Sequence, residues 1–298
     1  MTATRLGGVI AAIATAVDQS GAPDAPRCVA LARHLLDHGC DGLNVLGTTG
    51  EATSFSLAER QLVMSAYQAA GLPLGRLMVG TGAAAVSDAI ALKRHAAGLG
   101  FGGALVLPPF YYKSVPDAGL VAYVKALVDG TAGQPIPIYL YHFPAQSGLP
   151  WHVGLIRNLR DAFPGRIVGL KDSSGDLAFA KQAAGIAVDF AVFPSNEACL
   201  IDARQGSFAG CISATANLNA DLCARAYRSG DAAALRDAVK IRALFDGKPL
   251  VSGVKALLAH IHDDAAWALV KPPLAPFSAA DTVDVVRGYE AARATRAA

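Results

Sequence analysis

This sequence predicts an α/β fold, a (β/α)8 TIM barrel with a C-terminal helical extension, from three observations. Eight short apolar runs recur at residues 9–15, 42–46, 77–81, 103–107, 136–142, 167–171, 190–194 and 210–214, each of the length and composition of a strand buried on both faces. Stretches that read as amphipathic helices lie between them, at 27–38, 57–70, 86–99, 119–128, 151–162 and 176–184. Alternation of this kind produces parallel strands joined by crossover helices, and eight repeats suit a closed barrel. No G-x-G-x-x-G opens the first helix, which removes the main signature of an open doubly wound sheet. After Asn217 the strand signal stops, and residues 218–229, 232–244, 251–260 and 279–297 read as helices. The chain therefore divides into a barrel carrying the active site, 1–217, and a helical region, 218–298.

The strands, in chain order, lead into chemically distinct segments. The first run opens on Gly7-Gly8-Val9-Ile10 and leads through small residues to Asp18. Without a basic leader or cleavage pattern it reads as a first strand rather than a signal peptide. The second run ends in Gly47-Thr48-Thr49-Gly50-Glu51 and the fourth in Pro108-Pro109-Phe110-Tyr111-Tyr112. The fifth closes on Tyr141-His142-Phe143-Pro144. The sixth ends at Lys171 and breaks into a polar, glycine-containing turn, and the seventh leads to Asn196 and Glu197. In a parallel barrel the chemistry sits at these C-terminal strand ends.

Composition narrows the function classes. With 298 residues, 53% hydrophobic and 17% charged, the chain can bury a large core. Its net charge of +2, with no basic block, argues against nucleic acid as a partner, and no apolar run is long enough to predict a membrane span. Cys28, Cys40, Cys199, Cys211 and Cys223 are odd in number and form neither a C-x-x-C pair nor a zinc-spaced cluster. They read as reduced, buried thiols of a cytoplasmic protein. His260-x-His262 is too thin for a metal site, so no metal or other cofactor is expected.

Lys171 carries the most chemistry. The chain has nine lysines against seventeen arginines, and the other eight lysines lie in stretches read as helix or loop. An amine on a buried strand is poorly solvated as an ammonium, and the neutral amine is the nucleophile that forms a Schiff base with a ketone. The other reading is a lysine just past a strand end with its ammonium in water. Strands five and six are neighbours, so Tyr141 lies within reach of Lys171 and could act as a general acid and base; alone, it reads rather as a packed barrel tyrosine with a bonded hydroxyl. The glycines around Thr48 and Thr49 permit a tight turn with exposed N–H groups suited to a carboxylate, or an ordinary helix cap with Glu51 in the first turn.

Together these segments resemble the dihydrodipicolinate synthase and N-acetylneuraminate lyase superfamily of Schiff-base aldolases. The likeness spans nearly the whole chain, through G-T-T-G-E at 47–51, P-P-F-Y-Y at 108–112, Y-H-F-P at 141–144 and G-L-K-D-S-S-G-D at 169–176. It continues in C-I-S-A-T-A-N at 211–217, K-A-L-L at 255–258 and K-P-P-L-A-P-F-S at 271–278. The resemblance implies that Lys171 forms an imine with pyruvate or another 2-keto acid and that Tyr141 transfers protons. It implies that Thr48 and Thr49, on the turn begun by Gly47, contact the tyrosine and the pyruvate carboxylate, and that Ile212 borders the pyruvate pocket. Tyr112, or else Tyr111, reaches a neighbouring subunit's site in a homotetramer built as a dimer of dimers. Lys255 matches a structural position.

Departures bear on the substrate. Gln146 stands where synthase members carry an arginine for the second substrate's carboxylate, and a neutral amide lacks that charged fork. Asp172-Ser173-Ser174 looks more like the aldolase members. Asn196 and Glu197 resemble positions that bind sugar hydroxyls, with Glu197 expected to repel an anionic tail. His142 replaces a common asparagine, as a steric change or as a substrate contact. The expected activity is that of a class I lyase making or breaking a bond of a 2-keto-3-deoxy acid type substrate, with an aldehyde as co-substrate. The alternatives are an authentic dihydrodipicolinate synthase using aspartate semialdehyde, and a keto-acid sensor without chemistry.

Overall fold

The structure is a computed structural model that describes residues 6–294. Its strands are β1 (Gly8–Ala12), β2 (Gly42–Val45), β3 (Leu77–Gly80), β4 (Gly103–Val106), β5 (Ile138–His142), β6 (Ile167–Asp172), β7 (Ala191–Pro194) and β8 (Gly210–Ser213). The helices are α1 (Ala25–Asp37), α2 (Leu57–Ala69), α3 (Val86–Leu99), α4 (Asp117–Asp129), α5 (Pro144–Ser147), α6 (Val153–Ala162), α7 (Leu177–Ala184), α8 (Leu200–Arg204), α9 (Ala216–Ser229), α10 (Ala232–Ala243), α11 (Leu250–Ile261) and α12 (Ala279–Ala294). All eight strands are parallel, β1 to β7 pairing in chain order and β8 returning beside β1. The N–H of Ala209 donates to the carbonyl of Val192 on β7 at 2.9 Å, which draws the last seam together. The fold is the (β/α)8 barrel the sequence predicts.

The first strand stops earlier than predicted. Just past Ala12 the N–H of Ile13 still donates to the carbonyl of Asn44 on β2 (3.2 Å). The next one, of Ala14, donates instead to Oδ1 of Asn217 (3.1 Å). Two short helices, α5 and α8, have no counterpart in the sequence reading, because four or five residues are too few to display a helical period. The point at which the sequence passes from barrel to helical region, residues 217 and 218, lies in the first turn of α9. The last residues of the predicted 279–297 helix fall outside the described residues.

Two cores divide the apolar residues. The outer one lies between strands and helices; the inner one fills the barrel with Ile10, Met78, Leu105, Tyr139, Phe193 and Ile212. Glycines flank Tyr139 on both neighbouring strands. A Cβ at Gly103 would stand 2.6 Å from its ring and one at Gly169 2.7 Å, so the ring occupies space that any side chain would deny it. Helix starts follow ordinary capping rules. Ser56 and Glu59 form a reciprocal capping box on α2, and Asp176 accepts from the N–H groups of Ala178 and Phe179 on α7.

Pairing between β5 and β6 shifts by one residue. Ile138 pairs with Ile167, but Tyr139 pairs with Gly169, leaving Val168 extra. This β-bulge brings Tyr141 opposite Lys171; on its other side Lys171 pairs in regular register with Phe193 of β7, and Tyr141 and Phe193 both lie on the inner face.

One buried charge weakens the fold. Lys93 on α3 is fully buried, and its only described bond donates to the carbonyl of Leu127 (3.1 Å). Burial, helped by nearby Arg166, lowers its pKa from 10.5 to about 7. Between those two values the unfolded chain binds more protons than the folded one, so this site costs most below about pH 7 and its cost fades as pH rises through the window. Lys93→Met is therefore expected to stabilise the protein by roughly 1–4 kcal/mol at about pH 6 and by less at about pH 9. Urea unfolding at the two pH values checks this; a pH-independent difference would refute the assignment.

Candidate active site

The barrel places Lys171 and Tyr141 side by side at the C-terminal mouth. Both are buried, with 3% and 4% exposure, and Nζ of Lys171 lies 4.5 Å from the centre of the Tyr141 ring. The phenol oxygen of Tyr141 is 3.2 Å from Oγ1 of Thr48 across the β2 loop. Trp151, fully buried behind β5, fixes this strand end: its indole N–H donates to the carbonyl of Tyr141 (3.1 Å) and its backbone N–H to Nδ1 of His142 (3.0 Å). A buried amine thus sits over the ring of a phenol whose hydroxyl is bonded to an exposed threonine hydroxyl.

The loop after β2 is shaped differently from the sequence expectation. Its left-handed residues are Leu46 (φ 53°) and Glu51 (φ 54°), not the glycines. Gly47 and Gly50 serve close approach instead: a Cβ at Gly47 would lie 2.5 Å from Nδ2 of Asn44, and one at Gly50 3.0 Å from the carbonyl of Ile13. A left-handed non-glycine residue costs on the order of 1 kcal/mol or more and persists where its surroundings hold it. Leu46 is held by burial. Glu51 is held by Nζ of Lys255 and by the backbone N–H of Lys271 (2.7 Å). Lys255 is fully buried, and burial lowers its pKa even against the carboxylate beside it. It fastens the C-terminal region to the loop. Among the described residues no group accepts from the N–H of Thr48 or Thr49, so both donors are free.

A cavity of about 580 Å³ opens over this set. From the barrel it is lined by Thr48, Thr49, Tyr141, Gln146, Lys171 and Ile212, which brings six of the sequence candidates together. From the helical region it is lined by Arg242 and the start of α11. A smaller cavity of about 200 Å³ adjoins it, sharing Thr48, Tyr141 and Gln146 and including Gly47.

Four candidates lie elsewhere. His142 alternates with Tyr141 along β5 and so faces the helices. It stacks on Phe179 (4.3 Å between ring centres), and burial lowers its pKa. Asn196 caps the turn after β7, its side-chain oxygen accepting from the N–H of Ala198 (3.0 Å), and it lines a separate cleft. Glu197 is fully buried. Ser213 (2.5 Å) and Thr215 donate to its Oε1, while its Oε2 meets Arg242 at 3.5 Å. It therefore does not present a repelling charge to the cavity. Tyr112 is 73% exposed and packs edge-on against Tyr111, itself 75% exposed, outside the cavity of its own chain. Arg242 went unnoticed in the sequence because it lies in a helical stretch whose placement over the barrel mouth depends on tertiary packing.

Among the described residues no group of three or more His, Cys, Asp or Glu side chains is placed to hold a metal ion, and no helix is long and apolar enough to cross a membrane.

Comparison with known proteins adds to this geometry. The model described as the dihydrodipicolinate synthetase family matches residues 5–291. An uncharacterised DapA-like lyase of Chloroflexus aurantiacus is 34% identical over 264 residues, 87% of each chain. A 4-hydroxy-tetrahydrodipicolinate synthase of Parasynechococcus marenigrum is 36% identical over 176 residues, 59% of this chain and 56% of that protein. Among solved structures, dihydrodipicolinate synthase from Agrobacterium tumefaciens superposes with a TM-score of 0.90 at 29% identity, covering 95% of this chain and 98% of the other.

Proposed function

The chain belongs to the dihydrodipicolinate synthetase family, and from that premise we propose that it is a pyruvate-dependent class I lyase acting through an imine on Lys171. The carrying observation is the buried amine of Lys171 against the Tyr141 ring, with the Tyr141 hydroxyl bonded to Thr48.

In this reading the free N–H groups of Thr48 and Thr49 hold the carboxylate of the keto acid, placing its ketone at Lys171. The neutral amine adds to the ketone carbon. Tyr141, relayed by Thr48, delivers the proton with which the carbinolamine loses water to give the protonated imine. In aldol cleavage the bond between the carbons α and β to that imine breaks: the β-hydroxyl gives up its proton and leaves as an aldehyde, and the electron pair passes to the imine, forming the enamine. In condensation a methyl proton leaves instead, and the resulting enamine carbon attacks an aldehyde whose oxygen takes up a proton. Hydrolysis of the imine returns the amine. Ile212 and Ala12 give the cavity an apolar side beside the reacting carbon. The electron sink is the imine itself, so the chemistry calls for no bound cofactor.

Borohydride reduction in the presence of pyruvate, followed by peptide mass spectrometry, tests the reading. A permanent adduct on Lys171 supports it, and an unmodified protein refutes it.

We further propose a cytoplasmic homotetramer in which Tyr112, or Tyr111, enters a neighbouring subunit's site. Two large aromatic side chains left about three-quarters exposed on one loop support this. Tyr111→Ala/Tyr112→Ala is expected to weaken self-association and to lower turnover with it, read by sedimentation velocity beside activity. A fully active monomer would remove the basis for a shared site.

A further inference from the structure

Among the described residues, Arg242 and Lys171 are the only cationic side chains lining the main cavity, and Glu51 is its only carboxylate. Glu51 is already taken up by Lys255 and the backbone of Lys271. Arg242 is in a different condition. Its side chain is 26% exposed, and its one described contact is the 3.5 Å approach to Glu197. Glu197 directs its other oxygen to the hydroxyls of Ser213 and Thr215. A guanidinium has five N–H donors in a planar fork, so one long contact leaves most of them uncommitted beside the cavity.

Resting on the imine reading above, we infer that Arg242 is the specificity-determining residue for the second substrate, and that it binds a carboxylate at the end of that substrate distant from the reacting carbon. The aldehyde condensed with the keto acid then carries an acid group. An anion with two oxygens can engage in parallel the guanidinium N–H groups that Glu197 leaves uncommitted, forming paired charge-assisted bonds. Hydroxyl groups of a polyol would meet the same donors without the second charge that strengthens those bonds. A phosphate dianion would bring two charges to a single cation already shared with Glu197. Gln146, which lines the same cavity, contributes an amide but no charge. Glu197 and its two hydroxyl donors act as positioning residues that hold the guanidinium in place.

Two measurements test this. The first compares binding of 2-oxoglutarate and 2-oxopentanoate by calorimetry, because the two differ in the distal carboxylate. Wild-type protein is expected to bind the diacid roughly 10- to 100-fold more tightly, and Arg242→Gln to abolish the difference. The double variant Glu197→Gln/Arg242→Gln, which leaves no buried carboxylate unpaired, is expected to abolish it too, and Arg242→Lys to restore part of it. The second measures condensation of pyruvate with succinic semialdehyde, glyceraldehyde and glyceraldehyde 3-phosphate. The carboxylated aldehyde is expected to lead, with Arg242→Gln raising its KM far more than it lowers kcat. Preference for either other aldehyde, or diacid selectivity that survives Arg242→Gln, overturns the inference. Pyruvate trapping by borohydride is read in parallel on the wild-type protein. Its absence sinks the imine reading, while the calorimetric comparison still decides Arg242 alone.

Discussion

Lys171→Ala is expected to leave no pyruvate adduct after borohydride reduction and to lower turnover by roughly 10⁴-fold or more, to what the cavity achieves without a nucleophile. The size of the effect follows from the absence of a substitute. Among the described residues Lys171 is the only lysine lining the main cavity. Lys255 is fully buried and paired with Glu51, and Lys113 is tied to the carbonyls of Phe110 and Ser147. The fold should survive, because the substitution removes an amine that makes no hydrogen bond within the described residues and vacates space continuous with an open cavity. Intact-mass spectrometry and a melting curve settle both parts. An adduct of pyruvate mass on Lys171→Ala protein would move the nucleophile elsewhere.

Tyr141→Phe is expected to lower kcat by roughly 10²–10⁴-fold. The ring keeps its place beside Phe143, 5.7 Å away, and under the Lys171 amine. Only the hydroxyl is lost, and Thr48, which is exposed, can bond to water instead. Stability should therefore change little. Pyruvate should still be trapped, though more slowly, because the N–H groups of Thr48 and Thr49 proposed to hold its carboxylate are untouched. A slow variant that still binds separates a proton-transfer role from a packing one; near-wild-type turnover would leave Tyr141 with packing alone.

Much of this arrangement was legible beforehand, for identifiable reasons. Buried parallel strands are short apolar runs with nothing polar to interrupt them, so an amine at the end of 167–171 stood out. Adjacency of strands five and six then placed Tyr141 beside it. Strand parity could also have been applied to His142: one residue on from an inward tyrosine must face outward, and it does. Glu197 and Asn196 were not decidable in this way. They lie in a turn, and only its three-dimensional course sends the carboxylate inward to Ser213 and Thr215 and leaves the amide as a cap. The left-handed positions at Leu46 and Glu51 escaped notice because glycines stood nearby to claim that role. Arg242 escaped because a helix surface gives no hint of which neighbour it will overlook.

The bulge at Val168 bears on how the proposed active site could be gained or lost. Were the same chain to pair without the shift, the ladder begun at Ile138 and Ile167 would run on as Tyr141 with Leu170 and His142 with Lys171. The amine would then point among the helices, and Leu170 into the lumen. Every residue of the proposed relay would still be present, in the same order, and the chemistry proposed for it would be gone. The address of the proposed nucleophile is thus written in the arithmetic of the pairing rather than in the alphabet of the chain. By the same logic, one residue absorbed into a bulge could carry a buried amine into the lumen of an inert barrel without any substitution.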